Sequence, residues 1–128
     1  MTVRLGRVVV LVEDQDDALK FYVEVLGCRV LHDAAGPDGR RFVHVSFGED
    51  GPGVWLLQPA GAAGVQRVGS QTGGEPVAVL YTDEFDATLE SWRSAGVHVA
   101  VDPYLAEGSR VCHIHDLYGN EFVLVRLP

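Results

Sequence analysis

The chain repeats itself. Val8, Val10, Asp14, Asp17, Ala18 and Gly27 stand 69 residues before Val77, Val79, Asp83, Asp86, Ala87 and Gly96. Val30, Asp33, Gly39, Arg41 and His44 continue in the same register with Val99, Asp102, Gly108, Arg110 and His113, with no gap. A pattern carried twice in this way constrains the chain to fold as two copies of one supersecondary unit.

Each copy opens on a valine-rich stretch, Val8 to Val12 and Val77 to Tyr81, whose β-branched side chains suit a pleated surface. Asp14 and Asp83 follow as helix N-caps, their carboxylates placed to accept orphan backbone N–H groups. Apolar residues then recur with helical spacing, Ala18, Phe21, Tyr22, Val25 and Leu26 in the first copy and Phe85, Leu89 and Trp92 in the second. Gly27 and Gly96 stand where a helix C-terminus favours positive φ. Three further strands are expected after each glycine, at about 28–33, 41–47 and 54–58, and at about 97–102, 110–115 and 121–127. The fold class is therefore α+β: one domain over 1–128 of two βαβββ modules, about 4–59 and 75–128. They are joined by a Gly-, Ala- and Ser-rich linker at about 60–74. The expected product is an open, cup-shaped mixed sheet with its helices on the convex side.

Strand alternation assigns the faces. With Val8, Val10 and Val12 toward the helix, Arg7, Val9 and Leu11 face the other way, joined by Phe42, His44, Ser46, Trp55 and Leu57. In the second copy the same parity places Pro76, Ala78 and Leu80 with Val111, His113, His115, Glu121, Val123 and Val125. A sheet face this apolar normally meets something, and an apolar surface with a few polar groups suits a small molecule.

Charge and hydropathy narrow the classes of partner. Ten Lys and Arg against 18 Asp and Glu leave a formal charge of −8, which repels a nucleic-acid backbone. No apolar run reaches the roughly 18 residues of a membrane span. Cys28 and Cys112 form no metal-type spacing and read as reduced core residues, so a cytoplasmic location is expected. No Ser-His-Asp order, Cys-His pairing or P-loop signals nucleophilic catalysis or phosphate binding.

Over its whole length the chain resembles the vicinal oxygen chelate superfamily, which includes glyoxalase I, extradiol dioxygenases, fosfomycin resistance enzymes and bleomycin resistance proteins. The resemblance lies in Val12-Glu13-Asp14, then Ala18-Leu19-Lys20-Phe21-Tyr22 and Leu26-Gly27, and in His115-Asp116-Leu117-Tyr118-Gly119-Asn120 before the last strand. The family's usual Asp-Pro-Asp-Gly-Asn turn departs here at Leu117 and Tyr118. The resemblance implies four metal-ligand positions, one on the first and one on the fourth strand of each module. In this sequence they fall on Arg7, Trp55, Pro76 and Val123, none of which suits a divalent metal. The expectation is a protein without cofactor that binds a small molecule, antibiotic or otherwise planar or cationic, as a homodimer of the bleomycin-resistance type. Its candidate ligand-binding residues are Arg7, His44, Trp55, Tyr104, His113, His115, Glu121 and Val123, with Tyr104 in a loop beside the cup. The alternative is a metal-dependent lyase, isomerase or dioxygenase whose site is displaced onto His44, His113, His115 and Glu121. A structural dimer without ligand is the third possibility.

Overall fold

The computed structural model describes every residue from Met1 to Pro128. They form two compact units, Met1–Val68 and Gly69–Pro128, each built on the expected βαβββ plan. In the first, strand β1 (Arg7–Leu11) leads into helix α1 (Gln15–Lys20), which runs on as a π-helical turn over Phe21–Val25. Strands β2 (Arg29–Ala35), β3 (Arg41–Ser46) and β4 (Gly53–Leu57) and a short helix α2 (Ala62–Val65) follow, and the sheet order is β1-β4-β3-β2. The second unit has β5 (Ala78–Tyr81), α3 (Phe85–Ser94), β6 (Val99–Ala106), β7 (Ser109–His115) and β8 (Glu121–Arg126), in the order β5-β8-β7-β6. In each sheet the first strand lies parallel to the fourth, and the remaining pairs are antiparallel. No helix is long and apolar enough to cross a membrane.

One face of each sheet carries its helix. In the first unit Val10, Val43, Val45 and Leu56 are buried together with Ala18, Tyr22 and Leu26. In the second, Ile114, Phe122 and Leu124 are buried together with Phe85, Leu89 and Trp92. Burying each large apolar side chain is worth about 1.5–3 kcal/mol, so these faces stabilise each unit and fix its strand register. Gln15 adds a polar tie: its amide donates to the carbonyls of Arg41 and Leu56, fastening the start of α1 to the sheet.

The 69-residue register does not hold through the first strand and the start of the helix. Val12 N–H donates to Leu57 O and Thr82 N–H to Val125 O; Ala18 N–H donates to Asp14 O and Thr88 N–H to Glu84 O. Through the first strand and the helix start, the equivalent residues are thus 70 apart. Past the helix, Cys28 N–H reaches Tyr22 O, while Val97 N–H reaches Trp92 O across one residue fewer. The π-helical turn holds the extra residue. Beyond it Gly27 and Gly96, at φ of 86° and 89°, return to the expected correspondence.

Three expectations change as a result. Asp14 caps α1 as expected, accepting from Asp17 N–H at 2.9 Å, but the N-cap of α3 is Glu84 rather than Asp83 and makes no side-chain cap bond. Ala78 and Leu80 pair with the buried Phe122 and Leu124 and belong to the helix side; Val79 and Tyr81 pair with Val123 and Val125 on the other face, 52% and 69% exposed. The residue equivalent to Arg7 is accordingly Val77, not Pro76.

Two further boundaries differ. Tyr104 lies within β6, paired with Val111, and not in a loop. β6 runs through Pro103 because it is an edge strand whose register shifts between Val101 and Tyr104, and an irregular edge tolerates proline. The glycine-rich linker is also not featureless, since Ala62–Val65 form a short helix.

Candidate functional site

The non-helical face of the first sheet gathers four aromatic side chains and a cation-bearing one. β3 and β4 pair His44 with Trp55, and β2 and β3 pair His32 with His44, so the three side chains share a face. The His44 ring lies 5.5 Å from that of His32 and 5.8 Å from that of Trp55, and Phe42 packs 5.6 Å from Trp55. Arg7, at the start of β1, donates from Nε to His44 Nδ1 at 3.1 Å and from Nη1 to the Gly6 carbonyl at 2.8 Å. Burial, and then the charge of Arg7, push the His44 pKa below its ordinary value, so His44 is held neutral. Because Nδ1 accepts, the ring proton sits on Nε2. That Nε2 and the indole Nε1 of Trp55 are both buried without a protein acceptor.

The second sheet presents the opposite chemistry. His113 donates from Nδ1 to Glu121 Oε2 at 3.1 Å, and His115 from Nε2 to Glu121 Oε1 at 3.3 Å. These bonds, that from His113 foremost, hold the Glu121 carboxyl below its ordinary pKa. With its Nδ1–H committed, His113 turns Nε2 toward the Tyr104 hydroxyl at 3.4 Å. Tyr104, His113, Glu121 and His115 thus form one hydrogen-bonded row across β6, β7 and β8. The His98 ring lies 4.9 Å from that of His115, and a cavity of about 400 Å³ opens there, lined by Thr72, Glu75, His98, Ala100, His115 and Glu121 among others. Val123 lies beside this row, paired with both His113 and Val79.

The eight expected residues therefore fall into two groups, Arg7, His44 and Trp55 in the first unit and Tyr104, His113, His115, Glu121 and Val123 in the second. Sequence reasoning missed His32, whose face is set by the register shift between Val30 and His32 in β2. It also missed His98, which lies just before β6 and was legible in the sequence, since it alternates with Val97, Val99 and Val101. Phe42 was legible from the parity that exposes His44.

The first and fourth strands offer Arg7, Trp55, Val77 and Val123 at the family's metal positions, a cation, an indole and two isopropyl groups. No three His, Cys, Asp or Glu side chains are arranged to hold a metal ion elsewhere either. In the second sheet both Glu121 oxygens are turned to imidazole N–H groups. The residues present do not fit the metal site that the fold implies.

Comparison with known proteins agrees with this architecture. An uncharacterised protein of Shewanella frigidimarina is 28% identical over 122 residues, covering 94% of this chain and 90% of its own. Among solved structures, UcmS2 is 27% identical with a TM-score of 0.86, covering 98% of both chains. TnmS3, an antibiotic binding protein from Streptomyces sp. CB03234, is 26% identical with a TM-score of 0.83, covering 99% of this chain and 98% of its own. A superfamily member from Sphaerobacter thermophilus is 25% identical with a TM-score of 0.77, covering 98% of both chains. Residues 4–124 match the model of the Glyoxalase/Bleomycin resistance protein/Dioxygenase superfamily, and with the doubled βαβββ plan this makes the chain a member of that superfamily.

Proposed function

We propose that this protein binds a planar small molecule, antibiotics included, and does so without a metal ion, in the manner of bleomycin resistance proteins. The observation that carries the reading is Trp55. An indole stands at a position where metal-dependent members of the superfamily carry a ligating side chain, and it forms an aromatic surface with Phe42 and His44 on the face away from the helix. Such a surface gains stacking and burial energy from a flat ligand. The likeness to an antibiotic binding protein supports the same reading.

Fluorescence titration tests it. Trp92 is buried in the helix-packed core, so a response to planar ligands belongs to Trp55 and disappears in Trp55→Phe. Absence of quenching across a broad panel of planar natural products, cationic ones included, would defeat the proposal. A homodimer is part of it, and sedimentation velocity with and without ligand measures that part.

The metal-dependent alternative would have to draw on Glu121, His113 and His115, which are bonded to one another in the second sheet. Elemental analysis of protein purified without chelators separates the readings. A stoichiometric transition metal that is lost in His113→Ala would establish the lyase or dioxygenase branch instead.

A further inference from the structure

The first sheet's ligand surface carries two hydrogen-bond donors that the protein leaves unanswered. Trp55 Nε1–H is a donor and nothing else, and it is buried without an acceptor. His44 could in principle present a lone pair instead, but Arg7 removes that freedom. Its Nε–H occupies His44 Nδ1 at 3.1 Å, which leaves the proton on Nε2, also buried without an acceptor. A buried donor without a partner costs about 1–3 kcal/mol, so two on neighbouring rings mark a place where an acceptor belongs. The nearby formal charge is the Arg7 guanidinium, which also favours an electronegative atom. No carboxylate is hydrogen-bonded to Arg7, His44 or Trp55.

We infer that the His44 and Trp55 N–H groups recognise a carbonyl or similar oxygen acceptor on the planar ligand, with Arg7 as the positioning residue that fixes the His44 tautomer. This rests on the proposed function and specifies its ligand class. The preferred ligand is a conjugated aromatic ketone or amide rather than a bare arene or an aromatic cation. A cationic group suits the Glu121 carboxylate of the second sheet, not this cluster.

The matched probes 9-fluorenone and fluorene, alike in shape and differing in one carbonyl, test the inference through the ratio of their dissociation constants. One net hydrogen bond is worth a factor of about five to ten, so the wild type should prefer fluorenone by at least that much. Trp55→Phe removes one donor, and His44→Asn removes the Nε2 donor while keeping an acceptor for Arg7. Each should cut the preference severalfold, and the double variant should bring it close to one. A variant that merely loosens the surface weakens both probes and leaves the ratio unchanged. The carbonyl stretch of bound fluorenone should shift to lower frequency, and less so in either variant. Equal affinity for the two probes, with no carbonyl shift, overturns the inference and leaves planar-ligand binding standing. If neither probe binds, the inference falls, and the planar-ligand reading falls with it only when the broad panel of planar natural products is silent too.

Discussion

Replacing Glu121 by Gln tests the charge at the centre of the second sheet. The carboxylate accepts from His113 at 3.1 Å and from His115 at 3.3 Å, its side chain is 18% exposed, and those of the imidazoles are 19% and 30% exposed. A hydrogen bond to a charged group contributes about 1.5–3 kcal/mol, with the longer and wetter His115 bond at the low end or below it. Gln keeps one carbonyl acceptor and turns an amide N–H₂ toward the other ring, whose tautomer can switch to receive it. The net cost should therefore be about 1–2 kcal/mol near neutral pH, or roughly 3–7 °C in Tm for a chain of this size. The sign with pH follows from linkage. The folded state lowers the Glu121 pKa from its ordinary 4.5. Its contribution is thus complete above that value and vanishes as pH falls through the folded pKa. Urea denaturation of wild type and Glu121→Gln at pH 7 and at steps below pH 4.5 measures both points. The two proteins should converge in acid, and a difference that is constant with pH, or absent at pH 7, would refute the reasoning.

Asp116 is buried and accepts from Tyr118 N–H, Asn120 N–H and Asn120 Nδ2, each at 2.9 Å, so Asp116→Ala should cost about 2–4 kcal/mol in denaturant unfolding. Cys28 and Cys112 are buried, with burial pushing the Cys28 thiol up to about 12 and Cys112 in the same direction; a thiol reagent at pH 8 should label neither until denaturant is added. Arg41 grips Asp33 through two bonds of 2.8 and 2.9 Å and reaches Asp16 at 2.7 Å, yet these groups are partly exposed. Arg41→Ala should therefore cost about 1 kcal/mol or less, and the loss should shrink in high salt.

Much of the architecture was legible because valine alternation and helical spacing are local signals. Val43, Val45, Phe85, Leu89 and Trp92 all fall where those periods place them, and Asp14 caps its helix as its chemistry predicts. The second module's first strand was misread for a non-local reason. Its four residues are all apolar, so their own pattern does not say which face is which, and the assignment leaned on a gapless repeat that the π-helical turn interrupts. Arg7, His44 and Trp55 were legible as facing one way, since their strands alternate cleanly. Their hydrogen-bonding states were not, because the His44 tautomer depends on contact with Arg7, 37 residues away. Thr72 joins the cavity beside His115 from a linker that carries no periodic pattern, whereas His98 stands within the alternation of Val97, Val99 and Val101.

The wide turn in the first helix also governs how the two halves can be recombined. An odd residue inserted in a strand would send every later side chain to the wrong surface, whereas a helix takes it up as one broader loop of backbone and delivers the chain onward in phase. A chimaera that exchanges one module's opening strand and helix together should keep its downstream strands in order. One whose crossover falls between those two elements at equal residue number starts a step out of phase.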